Sequence, residues 1–383
     1  MALSAGVSDQ DITHFLSYAA QFLGNTGNYK SFGDSKFIPR IPADKVACLA
    51  KTSPEAEKLY ETFKDDLYES VSTAGMHLGY PDKGHVSTYY PDSPDITHEE
   101  IEYTADFLKK QQLMPENTRM RKTSSGDYEV LIASAVTEPS VRDTKESSWS
   151  LEGPYEGKIL RLIYGDHHAE MAKISRNLAE AKKYALNDEE KSMQADYVTA
   201  FHDGSMLAHK DSQRHWIKDK GPMVESNIGF IETYRDPHGI RGEWEGFASI
   251  INKERTKAFS QLVESAPDYI PKLPWPKDFE KDKFLAPDFT SLEVLTFAGS
   301  GIPGGINIPN YDGKCAGCRP PVRQELIITF CLGRYQAKRR LQECLLRQRS
   351  QCCSAEGDHT FRKFLGRTCP SLPPLRAPTR RSR

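Results

Sequence analysis

The sequence predicts a mixed α/β fold. Apolar residues recur at helical spacing behind capping residues in several stretches, and short apolar runs of strand length, bounded by Gly, Pro or Asn, lie between them. The 383 residues are enough for one large or two ordinary domains with a buried core.

The elements follow in order. A short helical pattern covers 12–23, and a polar Asn/Gly loop covers 24–33. A helix is predicted from 54 to about 71: Ser53 caps it, Pro54 suits the first helical position, and Leu59, Tyr60, Phe63, Leu67 and Val71 make one apolar stripe. Residues 79–96 form a loop rich in Gly, Pro and Tyr. Thr97 and Glu100 then form a capping box for the next helix. His98 and Glu99 do not open a zinc-binding helix, because such a helix needs a second histidine four residues after the first, and position 102 is Glu102. Residues 128–136 and 158–164 read as strands with a linker between them. His167 and His168, with Glu170 close by, read as the polar start of a helix over about 169–185, since no third ligand stands at a recognisable spacing. Asn187 caps a further helix, with Glu190 at its third position. His202, His209 and His215 are spaced seven and six apart, on no shared helical face, and read as packing or hydrogen-bonding histidines. A helix over 247–266 and a Pro/Trp segment over 271–276 complete the path to residue 289.

The chain is organised around residues 289–312, FTSLEVLTFAGSGIPGGINIPNYD. An apolar run over 292–297 suits a buried strand. It breaks into Gly299, Gly301, Gly304 and Gly305 with Pro303 among them, and Asn307 and Asn310 follow. Glycine lets another backbone come close, and proline withholds a donor. Two readings stand: an ordinary turn, or an exposed strand edge that takes an extended peptide through main-chain hydrogen bonds. Upstream, Ile228–Ile231 is apolar, with Glu232, Tyr234 and Glu245 near it. In a strand, the i, i+2 spacing of Glu232 and Tyr234 would put both on one face. A carboxylate can pair with a terminal ammonium, and a tyrosine hydroxyl can donate to a developing oxyanion.

Charge and cysteine divide the chain at one point. Residues 1–312 carry 35 Lys and Arg against 49 Asp and Glu, net −14, whereas 313–383 carry 16 against 4, net +12. Cys48 is the one cysteine of the first part; the other seven lie after residue 312. A body with one cysteine suits a reducing compartment. No stretch approaches the ~20 apolar residues of a membrane span. The N-terminus shows no basic region followed by an apolar core, so a cytoplasmic location is expected.

Several stretches resemble the dipeptidyl peptidase III family of zinc metallopeptidases: residues 27–39, GNYKSFGDSKFIP; 201–237, FHDGSMLAHKDSQRHWIKDKGPMVESNIGFIETYRDP; 241–247, RGEWEGF; and 273–312. The resemblance runs nearly end to end through the first 312 residues. It implies a peptide-binding lower lobe, with a small antiparallel β-barrel flanked by helices, that begins late in the family's pattern. It implies that Glu232, Asn307 and Asn310 hold the free N-terminus of a short peptide and that Tyr234 contacts the scissile carbonyl. Glu245 would be a further acidic residue of the cleft. Gly301, Ile302, Pro303 and Gly304 would be the edge that takes the peptide as an added strand, and Phe32 would lie beside it.

The family's zinc site is a His-Glu-x-x-Gly-His segment with a later glutamate. After Asp312 the resemblance stops, and no HExxH occurs anywhere in the sequence. The family implies zinc, but none is expected at a catalytic site of this chain, which is expected to bind peptides and not to hydrolyse them. Residues 313–383 admit two readings. Cys315-x-x-Cys318, with Cys352, Cys353 and His359, could build a zinc ribbon beside a basic nucleic-acid arm. Alternatively this is a non-homologous, largely disordered basic tail, which the irregular cysteines and the simultaneous change of composition favour. The acidic body argues against nucleic acid as the partner.

Overall fold

The computed structural model describes residues 6–70, 72–219, 221–280, 288–301, 305–308 and 326–330. All of them fall within Met1–Cys331, the first of the two units into which the chain divides.

Three helices begin the described chain: α1 (Asp9–Asn25), α2 (Ala43–Ala50) and α3 (Pro54–Phe63). They enclose a small core of Tyr18, Ile41, Val46, Ala50, Tyr60 and Leu67. Ser53 caps α3 by accepting from the Ala56 amide, and Pro54 opens it. The helix is shorter than the stripe implied. It ends at Phe63 and tightens into a 3₁₀ turn at Lys64–Asp66. Tyr60 and Leu67 are buried, while Leu59 and Phe63 are exposed. Val71 lies outside the described residues.

Helix α4 (His98–Lys110) starts with the expected capping box: Thr97 accepts from the Glu100 amide, and Glu100 accepts from the Thr97 amide. It packs on a four-stranded sheet of β1 (Thr118–Lys122), β2 (Tyr128–Ala133), β3 (Ser148–Ser150) and β4 (Ile159–Asp166), in the order β1-β2-β4-β3. Ile101, Leu108, Met120, Tyr128, Val130, Leu160 and Leu162 form its core. Strands β1 and β3 were not expected. TRMRK and SWS carry no apolar run, and their strand character comes from antiparallel pairing with β2 and β4.

Helices α5 (His168–Ala181), α6 (Asp188–Asp203) and α7 (Met206–Trp216) follow. Asn187 caps α6 by accepting from the Glu190 amide. They cover a five-stranded sheet of β5 (Val224–Glu232), β6 (Glu243–Ile251), β7 (Asp288–Ala298), β8 (Gly305–Ile308) and β9 (Leu326–Phe330), in the order β5-β6-β7-β9-β8. Helix α8 (Lys253–Tyr269) lies between β6 and β7 in the chain. Met171, Leu178, Met193, Tyr197, Phe201 and Trp216 from the helices bury Ile231, Phe247 and Leu292 of the sheet.

The mixed α/β class holds, but the barrel does not. Both sheets of the described residues are open, with β5 and β8 at opposite ends of the larger one. A barrel needs its end strands to pair; here a helical layer buries the apolar face instead. Three further expectations change. Phe247–Ile251 is strand, not helix, because it continues the β5–β6 ladder before Asn252 caps α8. The run 292–297 is buried only at its start: Leu292 is fully buried, whereas Leu295 is 64% exposed. Within 313–383, Leu326–Phe330 forms β9, parallel to β7 and antiparallel to β8. LIITF is rich in β-branched and apolar residues, which suits a strand inserted between two others.

Candidate functional site

The expected site residues gather where the β5–β6 hairpin meets the loop after α1. Strands β5 and β6 are antiparallel, with Gly229 opposite Glu245 and Glu232 opposite Glu243. The register shifts between Phe230 and Glu232, and β5 ends at Glu232. Tyr234 therefore sits in the connecting turn, not on the strand face that its spacing suggested.

That turn is held by a buried pair. Asp236 and Arg241 have no exposed side-chain surface and lie 3.9 Å apart. Asp236 accepts from the amides of Ile240 (3.0 Å) and Arg241 (2.9 Å) and from the Tyr90 hydroxyl (2.9 Å). The Arg241 guanidinium lies over the Tyr90 ring at 5.3 Å. Gly242 passes close to β5: a Cβ there would lie 2.7 Å from the Phe230 carbonyl carbon. The buried Asp236 carboxylate, satisfied by these donors, fixes one backbone path, and so fixes where Tyr234 and Arg235 project.

Around this turn the carboxylates converge. Glu245 is half-buried, and its pKa is pushed up to about 7, first by burial and then by Glu232 and Glu243. Two glycines flank it, one on β5 and one just past the end of β7. Gly229 stands opposite it, and a Cβ on Gly299 would lie 3.0 Å from the Glu245 Cβ. The Tyr234 hydroxyl is also shifted upward, chiefly by the Glu232 carboxylate beside it, because a phenolate there would face a like charge. Glu243 forms an ion pair with Arg235 at 3.4 Å and accepts a 2.6 Å hydrogen bond from Ser300 Oγ.

One wall of the site is aromatic. The Phe32 and Tyr234 rings lie 5.7 Å apart at 59°, and both are largely exposed, at 72% and 65%. Gly301 lies beside Phe32: a Cβ there would be 3.5 Å from the ring. Its φ of +78° is one that glycine adopts without cost. The Gly301 amide donates to the Gly24 carbonyl at 2.9 Å.

Phe32, Glu232, Tyr234, Glu245 and Gly301 are thus brought together. Asn307 lies in β8, opposite Ile327 of β9. Ile302, Pro303, Gly304 and Asn310 lie outside the described residues. Sequence reasoning missed Arg235, Glu243 and Ser300. The i, i+2 pair Glu243 and Glu245 on one strand was the available signal.

Among the described residues, no group of three or more His, Cys, Asp or Glu side chains is arranged to hold a metal ion. His167 and His168 serve the start of α5. His209 is buried against Gly229, where a Cβ would lie 2.4 Å from the imidazole Cε1. His215 pairs with Glu189 and Asp196. No helix among the described residues is long and apolar enough to cross a membrane.

The chain matches the model of peptidase family M49 over residues 59–315, and it belongs to that family. It is 47% identical over 307 residues to dipeptidyl peptidase 3 of Dictyostelium discoideum, which covers 80% of this chain and 43% of that protein. It is 44% identical over 322 residues to dipeptidyl peptidase 3 of Homo sapiens, covering 81% and 43%. The chain thus spans less than half the length of these relatives. A solved structure of DPP III from Caldithrix abyssi aligns over 85% of this chain and 55% of that one, with a TM-score of 0.49 at 14% identity.

Proposed function

We propose that this chain binds short peptides through their free N-terminal ammonium group at the acidic end of the five-stranded sheet, and that these 383 residues alone do not hydrolyse them. The observation that carries this reading is the convergence of Glu232, Glu243 and Glu245 beside the exposed Phe32–Tyr234 wall. Crowded carboxylates raise one another's affinity for a positive charge, and a primary ammonium offers three donors to satisfy them.

In this reading Glu232, with Asn307 and Asn310, holds the ammonium, and Glu245 adds a second carboxylate. The Tyr234 hydroxyl faces the carbonyl of the bond that the family cleaves. The segment 301–304 offers the strand edge, and Phe32 lies along the bound peptide. Membership of peptidase family M49 supports a peptide as the ligand. The acidic charge of residues 1–312 opposes phosphate backbones, so nucleic acid is not the expected partner. A body with Cys48 alone suits the cytoplasm.

In the resembled family, zinc supplies a Lewis acid and an activated water. The residues here do not fit that group. The sequence holds no HExxH, and residues 313–383 show no second CxxC to complete a cysteine site. The reading therefore stops at binding. Arylamine release from a dipeptidyl-arylamide, with metal analysis of the same sample, tests it. No release and no stoichiometric zinc is the expected result. Cleavage with one bound zinc would contradict it.

A further inference from the structure

Arg235 joins segments that are remote in sequence. Its Nη2 donates to the Asn25 carbonyl at 2.7 Å and to the Tyr29 carbonyl at 3.2 Å. Its Nε faces Glu243 of β6 at 3.4 Å, and only 13% of its side chain is exposed. The loop it grips is otherwise organised from within. Asn25 Oδ1 accepts from the Ser31 amide (2.8 Å) and hydroxyl (2.9 Å), and Thr26 takes a left-handed conformation at the end of α1. Phe32 is the next residue along, and its ring meets Tyr234, the immediate neighbour of Arg235.

We propose that Arg235 is a positioning residue that locks the loop carrying Phe32 against the acidic end of the sheet, so that the aromatic wall and the carboxylates act as one peptide-recognition surface. The inference rests on the peptide-binding reading for its consequence, but not for its geometry. A planar guanidinium can donate to two carbonyls along one edge while it pairs with a carboxylate along another. A lysine ammonium, on a flexible stem, cannot span the same partners. The Glu243 carboxylate is itself held by Ser300, and the Gly301 amide donates to the Gly24 carbonyl, next to Asn25 at the start of the loop. Two ties, one side-chain and one main-chain, thus hold the segment 24–29 that leads into Phe32.

The simpler role for Arg235 is to neutralise Glu243, and the two roles differ measurably. Hydrogen exchange in the ligand-free protein tests the clamp alone. Arg235→Gln is expected to speed exchange over residues 25–32 by about tenfold or more while β5–β7 stay protected. Arg235→Lys, which keeps the charge, is expected to loosen the same loop partly, and Glu243→Gln to leave it closed. Unchanged exchange over 25–32 in both Arg235 variants overturns the proposal, as does equal loosening by Glu243→Gln. If Arg235→Gln opens the whole sheet, Arg235→Lys decides. In peptide binding, Phe32→Ala and Arg235→Gln are expected to be non-additive, because each removes the same wall; additive losses contradict the coupling. If the unaltered protein binds no peptide, the proposed function fails while the exchange result still decides the clamp.

Discussion

Glu232 and Glu243 stand directly opposite one another across β5 and β6. Like charges in that arrangement oppose the pairing of the strands. The hairpin carries the cost because Arg235 pairs with Glu243 and the buried Asp236–Arg241 pair fixes the turn. In the proposed reading, binding outweighs stability at this position.

Glu232→Gln is therefore expected to separate the two. Thermal unfolding should show a gain of about 0.2–1 kcal/mol from the relieved repulsion. Calorimetric titration with a short peptide should show a loss of about 1.5–3 kcal/mol, the worth of a charged hydrogen bond. A loss of both, or of neither, would count against the role given to this carboxylate.

Binding should depend on pH through Glu245. Its carboxyl, held up at about 7 by burial and its acidic neighbours, is protonated in the free protein below that value. An incoming ammonium favours the ionised form, so affinity should rise from pH 5 to 7, with a proton released. It should fall again above about 8 as the peptide's own amine deprotonates. The same group lowers stability as pH rises. Between its ordinary 4.5 and about 7, the folded chain holds a proton that the unfolded chain has lost, so this contribution is greatest below 4.5 and gone above 7. Glu245→Gln should remove the rise in affinity from pH 5 to 7 and flatten this stability slope, while the fall above about 8 remains.

Asp236→Ala should destabilise the protein by about 3–5 kcal/mol, because it leaves the fully buried Arg241 without its counter-charge. Urea unfolding measures this. Peptide affinity should fall with it, since the turn that carries Tyr234 and Arg235 loses its anchor.

His209 gives the opposite pH response. Burial beneath β5 lowers its pKa from 6.5 to about 4. The unfolded chain binds the proton first as pH falls, so stability present above 6.5 is lost down to 4, by on the order of 3 kcal/mol. The pH slope of unfolding over that range should flatten in His209→Gln. Gly229→Ala, which would drive a methyl into the imidazole, should destabilise at every pH by about 1–3 kcal/mol.

Local signals in the sequence were reliable and non-local ones were not. Thr97 and Glu100, Asn187 and Glu190, and Ser53 with Pro54 mark helix starts because capping is settled within four residues. Phe247–Ile251 reads as helix in the sequence because its strand character comes from pairing with β5 and β7, not from its own spacing. Glu232, Tyr234, Glu245, Phe32 and Gly301 were legible through resemblance, and the fold brings them together. Arg235 was not, because its meaning depends on Asn25 and Tyr29, some two hundred residues earlier. The i, i+2 spacing of Glu232 and Tyr234 would share a strand face only if the strand ran on, and β5 ends at Glu232.

The most direct test compares one short peptide with a free N-terminus against its N-acetylated form, titrated into the purified chain at pH 7. The account predicts that the free peptide binds and that acetylation, which removes the positive charge sought by Glu232 and Glu245, abolishes binding. Equal affinity for the two forms would contradict it.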